Sequence, residues 1–435
     1  MDDNALLVAR AAPAYCCPGE HRPIDRATHL GRLASFYPAC RECAQRDDIR
    51  ALTPAQQRQW QQVLRRAPAA PRFGAEGLEA GSVNCLGPKV AAQLAMALGI
   101  AAWRERGAAD GRPTVLVGSD GHWTTAELMA AACVALQLCG CRTIELGAVT
   151  TAALAGAAHH AQADAAWWIG GAAGDAHAMC ARVWGPAGRP WSSPGGLNRV
   201  CEIYEGRGAR PKRGGGSQER LQADAIYLPA LGPQFHGLRP LRFVLDTASA
   251  PLVRYLEQLA SASACQVLRA APGAIAASAA PGDAGQSPVE RRLSAVGRQV
   301  VAEHAHFGLW IDPAGELCRL VDECGRAVSH QRLSCSLLSY IGNQRPGATV
   351  ALYMGDAEFP GSPGDAGVHV VPGAATREGM FDVMTDRGAT FGAGQAGAFW
   401  FEGAVPAPDA LLAASLLLTL FSHTDRPVSE VLDAA

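Results

Sequence analysis

Residues 114–147, TVLVGSDGHWTTAELMAAACVALQLCGCRTIELG, carry the pattern that decides the fold. Thr114 to Val117 is a short apolar run that enters the turn GSDG and reads as a strand. Thr125 to Leu138 is long enough, and free enough of glycine and proline, to read as a helix. Thr143 to Leu146 then reads as a second strand, closed by Gly147. Strand, helix and strand in this order predict a mainly parallel sheet with helical cover, an α/β fold.

The same alternation extends on both sides. Upstream, residues 1–66 form a first unit containing CCPGEH, PACREC and LTPAQQRQWQQVLRR, the last a helix that starts near Thr53 and Pro54. APAAP at 67–71 reads as a linker. Downstream, GRGARPKRGGGSQER at 206–220 is glycine-rich and basic and predicts a solvated hinge. LRFVLDTASA is a strand into a loop, PLVRYLEQLA a helix and CQVLRA a strand. APGAIAASAAPGDAGQ at 271–286 reads as a loop. FGLWIDPAGELCRLVDECGRAV predicts two strands around a turn. A last unit opens with a helix near Ser329 and ends in a helix from about Pro408 to Ser422.

Composition narrows the function. The chain has 435 residues, 49% hydrophobic and 18% charged, so it can bury sizeable cores beneath a lean charged surface. A formal net charge of -2 gives no electrostatic case for nucleic acid or an anionic membrane. The 14 cysteines are too sparse for a disulfide scaffold, and Cys133, Cys139, Cys265 and Cys335 sit in apolar context. They predict a reducing, cytoplasmic compartment. The acidic start, MDDNALLVARAAPAYCCPG, predicts no signal peptide, and ALLAASLLLTLFSH is too short to span a bilayer.

The strongest chemical signal lies near the N-terminus. Cys16-Cys17-Pro18-Gly19-Glu20-His21 precedes Cys40-Arg41-Glu42-Cys43, two ligand pairs spaced for tetrahedral zinc. The favoured set is Cys17, His21, Cys40 and Cys43, with Cys16 able to replace Cys17 or His21 and His29 an outside candidate. Four protein ligands make a structural site. The alternative is a reduced cysteine cluster without metal. Elsewhere, Asp120 and His122 resemble an acid–base pair but also suit a polar turn. Asp312 and Glu316 share one turn and offer oxygen ligands, a poor magnesium site without a third carboxylate. His304 and His306 read as strand neighbours pointing the same way. No G-x-S-x-G, P-loop or dinucleotide fingerprint is present.

Taken in order, these loops resemble those of the alpha-D-phosphohexomutases, the phosphoglucomutase/phosphomannomutase superfamily, from about residue 72 to 433. FGAEGLEAG at 73–81 is similar to F-G-T-D-G-I-R-G, and VGSDGHWTTAEL at 117–128 to V-G-x-D-x-R-x-S-S-x-x-L. LGAVTTAA at 146–153 resembles L-G-x-x-P-T-P. GLWIDPAGE at 308–316 stands where the family has its metal loop, and GAGQAGAFWF at 392–401 where it has the sugar-reading G-E-x-S-G-H. The resemblance implies three consecutive three-layer domains with mixed, mainly parallel sheets, over 72–210, 218–328 and 329–435. A small metal-binding module over 1–66 precedes them, and the family's fourth domain is expected to be absent.

The resemblance also implies which groups should perform phosphoryl transfer, and these are missing. IGGAAGD at 169–175 occupies the place of the serine motif T-A-S-H-N-P, so the nucleophile position is Ala172 and its histidine neighbour Ala173. The following lysine position falls at Ala181, beside Arg182. In the metal loop Asp312 survives, Ala314 and Glu316 stand for the other two aspartates, and Leu317 replaces the arginine. Gly394, Ala396 and Ala398 stand in the sugar loop, Glu79 replaces the first motif's arginine and His122 the second's. Transfer needs a charge clamp around the moving phosphoryl group.

The expectation is therefore a pseudoenzyme with no catalytic residues, structural zinc and no magnesium, acting as a scaffold or regulatory subunit. A protein partner or a second copy would cover its surface, and Trp167, Trp168, Trp184, Trp191, Phe399 and Trp400 are candidates for an apolar contact face or for core. Three alternatives stand beside it. One is a residual phosphosugar enzyme using Asp120, His122, Asp312 and Glu316; another is a sensor that binds a sugar phosphate without converting it. The third, nucleic-acid docking by the first unit, is not expected, because its arginines are offset by Glu20, Asp25, Glu42, Asp47 and Asp48.

Overall fold

A computed structural model describes residues 15–18, 22–35, 37–65, 71–80, 86–107, 111–122, 124–173, 178–206, 215–270, 286–355 and 367–433. His21, most of the 67–71 linker, Gly174, Asp175 and nearly all of the 271–286 loop lie outside them. The chain divides into two compact units, one drawn from 1–72 and 80–87, the other from 73–79 and 88–435.

The first unit is small. Tyr15 and Ile24 form a two-residue bridge, followed by helices α1 (Arg26–Ala34) and α2 (Pro54–Arg65). Asp25 caps α1 by accepting the Thr28 amide at 2.7 Å, as an aspartate ahead of a helix should. Among its described residues the buried apolar groups are Tyr15, Cys17, Leu33, Tyr37, Cys40, Cys43, Leu52, Trp60, Ala80 and Leu86, three of them cysteines.

The second unit contains three sheets in succession. The first has the order β1 (Arg72–Gly74), β2 (Gly77–Ala80), β6 (Met179–Trp184), β5 (Ala165–Gly171), β3 (Thr114–Ser119), β4 (Arg142–Ala148) and β7 (Ser217–Arg220). Helices α3 (Pro88–Arg106), α4 (Thr125–Leu138), α5 (Thr151–His160), α6 (Gly196–Glu205) and α7 (Asp224–Leu231) accompany it. β3 is buried at every residue and pairs in parallel with both β4 and β5, so its unbroken apolar run is what a central parallel strand requires. β5 and β6 pair antiparallel.

The second sheet runs β11 (Cys318–Val321), β10 (Phe307–Ile311), β8 (Arg242–Asp246) and β9 (Gln266–Arg269), with α8 (Ala250–Ser261) and α9 (Pro288–Ala302). The third runs β13 (His369–Pro372), β12 (Thr349–Leu352), β14 (Phe391–Ala393), β15 (Phe399–Phe401) and β16 (Ala407–Pro408), with α10 (His330–Gln344), α11 (Arg377–Arg387), α12 (Ala410–Ser422) and α13 (Val428–Asp433). Each sheet keeps a parallel centre and turns antiparallel on one side: β10 with β11, and β14 with β15. The α/β class and the mixed sheets follow the sequence reading.

Several local expectations change. The basic hinge contributes β7 from its final residues, because Ser217–Arg220 pair in parallel with Arg142–Glu145 and Arg142 forms a two-point ion pair with Glu219. His304 and His306 are not strand neighbours. His304 takes a positive φ of 50° in the turn after α9, and His306 precedes β10, where its Nδ1 accepts the Arg242 amide at 3.0 Å. The chain continues past α12 into α13. Trp167 and Trp168 are both 0% exposed, and Trp184, Trp191, Phe399 and Trp400 are buried too, so they build core. They fill both sides of their sheets, as alternation demands. Among the described residues no helix is long and apolar enough to cross a membrane.

Candidate functional site

The loops at the carboxyl ends of β3, β5 and β10 converge, the place where open α/β sheets present chemistry. Asp120, just past β3, turns its carboxylate inward. Oδ2 accepts the Gly171 amide at 2.8 Å and Oδ1 accepts the His122 amide at 2.8 Å. Burial pushes this carboxyl above its usual range and pushes the His122 imidazole down. His122 Nδ1 lies 2.7 Å from Thr124 Oγ1. The pair thus holds two backbone turns together.

The turn after β5 passes close by. A side chain on Gly170 would meet the Trp168 ring at 2.4 Å and the Asp120 carboxyl at 2.8 Å, so only glycine fits there. Gly171 packs against Pro313 from the loop after β10, leaving 3.1 Å to an added Cβ. Ala172 follows, its amide donating to Ala178 O at 2.8 Å. Cys180, opposite Gly170 on β6, is buried, and desolvation raises its thiol to about 11, which keeps it protonated and unreactive.

The Asp312–Leu317 loop is tied into its surroundings. Asp312 Oδ1 accepts the Glu316 and Leu317 amides at 2.7 and 2.8 Å. The Thr151 amide, at the start of α5, donates to Ala314 O at 3.0 Å, and the Ala410 amide, at the start of α12, to Gly315 O at 2.9 Å. Leu317 bridges Ala398 of the Gly394–Ala398 turn. One loop therefore joins all three sheets.

Charge in this region is settled internally. Glu316 forms a buried ion pair with Arg182 of β6 and lies 3.7 Å from Arg377 Nε, at the start of α11. Burial alone would raise the Glu316 carboxyl, but the two guanidinium groups overcome it and hold the carboxyl below its usual range. Arg182 is desolvated as well, and Glu316 keeps it charged. Asp312 is fully buried, and desolvation outweighs the pull of Arg182, lifting its carboxyl to about 6. Arg377 lies over the Trp184 ring at 4.5 Å, a cation–π contact, with Glu76 Oε2 at 4.0 Å.

A second network fastens β1–β2 and the segment after β6 to α11. Ser192 Oγ donates to Glu76 Oε2 at 2.8 Å, and Glu76 Oε1 accepts the Arg377 amide at 3.0 Å. Glu378 Oε2 accepts the Ser192 and Gly196 amides, each at 2.9 Å, while Arg189 meets Asp382 at 2.9 Å. Such charge-assisted bonds to backbone amides fix geometry tightly.

These contacts bear on whether the loop could hold magnesium. A divalent cation needs several free hard oxygens. Here Glu316 is matched to two guanidiniums, and one Asp312 oxygen is spent on its own loop. The other Asp312 oxygen, Oδ2, is buried without a hydrogen-bond partner among the described residues. Asp120 and His122 come together with the Gly170–Ala172 turn, and Asp312 with Glu316, as their sequence order suggested. Sequence reasoning missed Arg377, Glu76, Ser192 and Glu378 altogether. It saw Arg182 only as a neighbour of the lysine position; the alternation of β6, which pairs Arg182 with Trp168, was the available signal.

In the first unit, Cys17, Cys40 and Cys43 are buried and form no disulfide, and Cys16 is exposed. Cys17 Sγ accepts Arg32 Nη1 at 2.7 Å and Cys43 Sγ accepts the Gln45 amide at 3.4 Å. His29 is stacked on Tyr15 at 4.1 Å and sits 3.9 Å from Asp48. Among the described residues no group of three or more His, Cys, Asp or Glu side chains is arranged to hold a metal.

Comparison with known proteins follows the same loops. Residues 71–171 match the model of the phosphoglucomutase/phosphomannomutase alpha/beta/alpha domain I. A phosphoglucosamine mutase from Heliobacterium modesticaldum is 30% identical over 135 residues, which is 30% of this chain and 29% of that protein's length. A phosphoglucomutase/phosphomannomutase family protein from Burkholderia thailandensis superposes with a TM-score of 0.69 at 17% identity, covering 83% of this chain and 79% of that one. Parafusin, a phosphoglucomutase from Paramecium, superposes in its open form with a TM-score of 0.57 at 11% identity, covering 85% and 75%. At these identities the structural likeness is one of fold.

Proposed function

We propose that this chain, which belongs to the alpha-D-phosphohexomutase superfamily, has given up phosphoryl transfer and works as a scaffold or regulatory subunit. One observation carries the reading: the Arg182–Glu316–Arg377 cluster fills the metal loop with the protein's own cations. The side chain at the nucleophile position, Ala172, has no atom that could accept a phosphoryl group. Conversion of hexose and hexosamine phosphates with magnesium should be undetectable. Turnover that disappears on Asp312→Ala would overturn the reading. Heat of binding for a phosphosugar without turnover would favour the sensing role instead.

The first unit supports a second element of the proposal, structural zinc held by Cys17, His21, Cys40 and Cys43. A small unit gains from a metal staple, and three of the four ligands, Cys17, Cys40 and Cys43, are already buried inside it. Metal analysis of the purified chain should find about one zinc per chain, lost in Cys40→Ser; a metal-free protein with an intact first unit would refute it.

A further inference from the structure

We propose that the cavity between α5, α7 and the loop joining β15 to β16 binds a small carboxylic acid with an apolar, ring-sized body. The cavity measures about 340 Å³, at the small end of the range for ligand pockets. Ile226, Leu231, Phe401, Val405 and Leu412 supply apolar walls. His159 and His160, in the last turn of α5, line it too and share one helix face with Ala152 and Gly156. α5 and α12, which hold the Asp312–Leu317 loop through the Thr151 and Ala410 amides, also wall this cavity.

Gly156 marks the cavity as space that the chain leaves unused. Every residue of α5 from Thr151 to Ala158 is buried except this one, which is half-buried. A Cβ added there would meet no neighbouring atom within 4 Å among the described residues. Elsewhere the helix is closely packed: a Cβ on Gly188 would lie 2.6 Å from Ala155 O. Glycine inside a helix is destabilising relative to alanine, and no described neighbour requires it at 156. Its bareness provides a flat patch of helix backbone against which a ring can lie.

The polar groups select the charge of the ligand. Asp409 is already spent: Oδ1 accepts the Leu411 and Leu412 amides at 3.0 and 2.9 Å, and Tyr227 Oη donates to both its oxygens at 2.8 Å. Glu402, exposed, pairs with Arg345. The carbonyls of Ala157, Ala158 and His159 accept the Ala161, Ala163 and Gln162 amides at 2.9, 2.9 and 3.0 Å, so these acceptors are filled as well. Among the described lining residues, the groups left to a ligand are the two imidazoles, each with a ring N–H to donate in either tautomer. Donors call for an acceptor, and a carboxylate bonds to them more strongly than a neutral oxygen. The apolar body then points inward, toward Leu231 and Phe401, which are buried. The proposal does not depend on the absence of phosphoryl transfer.

Calorimetry and ligand-observed NMR on the full chain, with sodium phenylacetate as the probe, should show saturable binding. The Kd should be about 1 mM or tighter, as a ligand of roughly ten heavy atoms allows. Benzylamine, which lacks the acceptor, and acetate, which lacks the ring, should each bind about tenfold weaker or worse. Gly156→Leu should fill the cavity and abolish binding, with the melting temperature at or above that of the parent. His159→Ala with His160→Ala should weaken phenylacetate about tenfold and leave benzyl alcohol unchanged. Absence of saturable binding, preference for the amine, or binding indifferent to either variant overturns the proposal. So does a Gly156→Leu chain that melts well below the parent, since the space would then not be free.

Discussion

Replacing Glu316 by Gln tests whether the Asp312–Leu317 loop is held by the protein's own cations. The side chains of Arg182 and Glu316 are only 14% and 5% exposed, so their pairing occurs away from water. Removing one partner of a buried pair strands the other, at about 3–5 kcal/mol. Two features set the cost near the lower end. Arg377 keeps Trp184 at 4.5 Å and Glu76 at 4.0 Å, so it is not left alone. Asp312, whose carboxyl is raised in part by Glu316, ionises more readily once that charge is gone and takes over beside Arg182.

The expected loss is therefore about 3 kcal/mol, read by chemical denaturation, with melting lowered by roughly 4 °C. Glu316→Gln with Arg182→Met should cost less than the sum of the single changes, with a coupling of about 2 kcal/mol or more. Glu316→Gln with Asp312→Asn should cost more than the sum, because the substitute anion is lost as well. A Glu316→Gln protein within about 0.5 kcal/mol of the parent, or a cycle with no coupling, would refute the argument.

Four further outcomes follow. The Asp312 carboxyl is at about 6 in the folded chain against 3.8 for a solvated aspartate, so between these values the folded state holds a proton the unfolded state has released. Its contribution is complete below about 3.8 and disappears as pH rises through 6, a loss of at most about 3 kcal/mol; Asp312→Asn should flatten that fall, and an unchanged slope would count against it. Gly170→Ala places a methyl 2.4 Å from Trp168 and should destabilise by about 1–3 kcal/mol in denaturation curves. Ala172→Ser should acquire no phosphate from a hexose bisphosphate, as judged by intact mass, since the charge clamp is still missing. A strong chelator should expose the Cys40 segment to protease while leaving the three-sheet unit resistant; equal susceptibility of both would contradict the zinc assignment.

What the sequence disclosed depended on how far each signal reached along the chain. The helix over Thr125–Leu138 coincided with α4 residue for residue, because fourteen positions without glycine or proline admit little else. Thr114–Val117 grew into a strand ending at Ser119, two residues further, since pairing on both sides extends a strand beyond its apolar run. β7 was hidden because none of its side chains is buried. Its register comes from β4, which lies far away in sequence, and edge strands need no apolar pattern.

The site divides along the same line. Departures from the motifs the chain resembles could be read one loop at a time, such as Ala172 and Leu317. Replacements could not, because each pairs residues from different sheets. Glu316 comes from the second sheet, Arg182 from the first and Arg377 from the helix beside the third, with 134 and 61 residues of chain between them. A buried carboxylate that loses its cation must find another or become neutral, since an isolated charge in the interior is costly. Glu316 has found two guanidiniums, and Asp312, lacking an equal partner, is driven toward protonation. The two carboxylates that survive in the metal loop thus have opposite fates, fixed by which of them the arginines reach. That division suits a loop that holds three sheets together, because two guanidiniums are buried against one carboxylate while the other is left to the amides of its own loop.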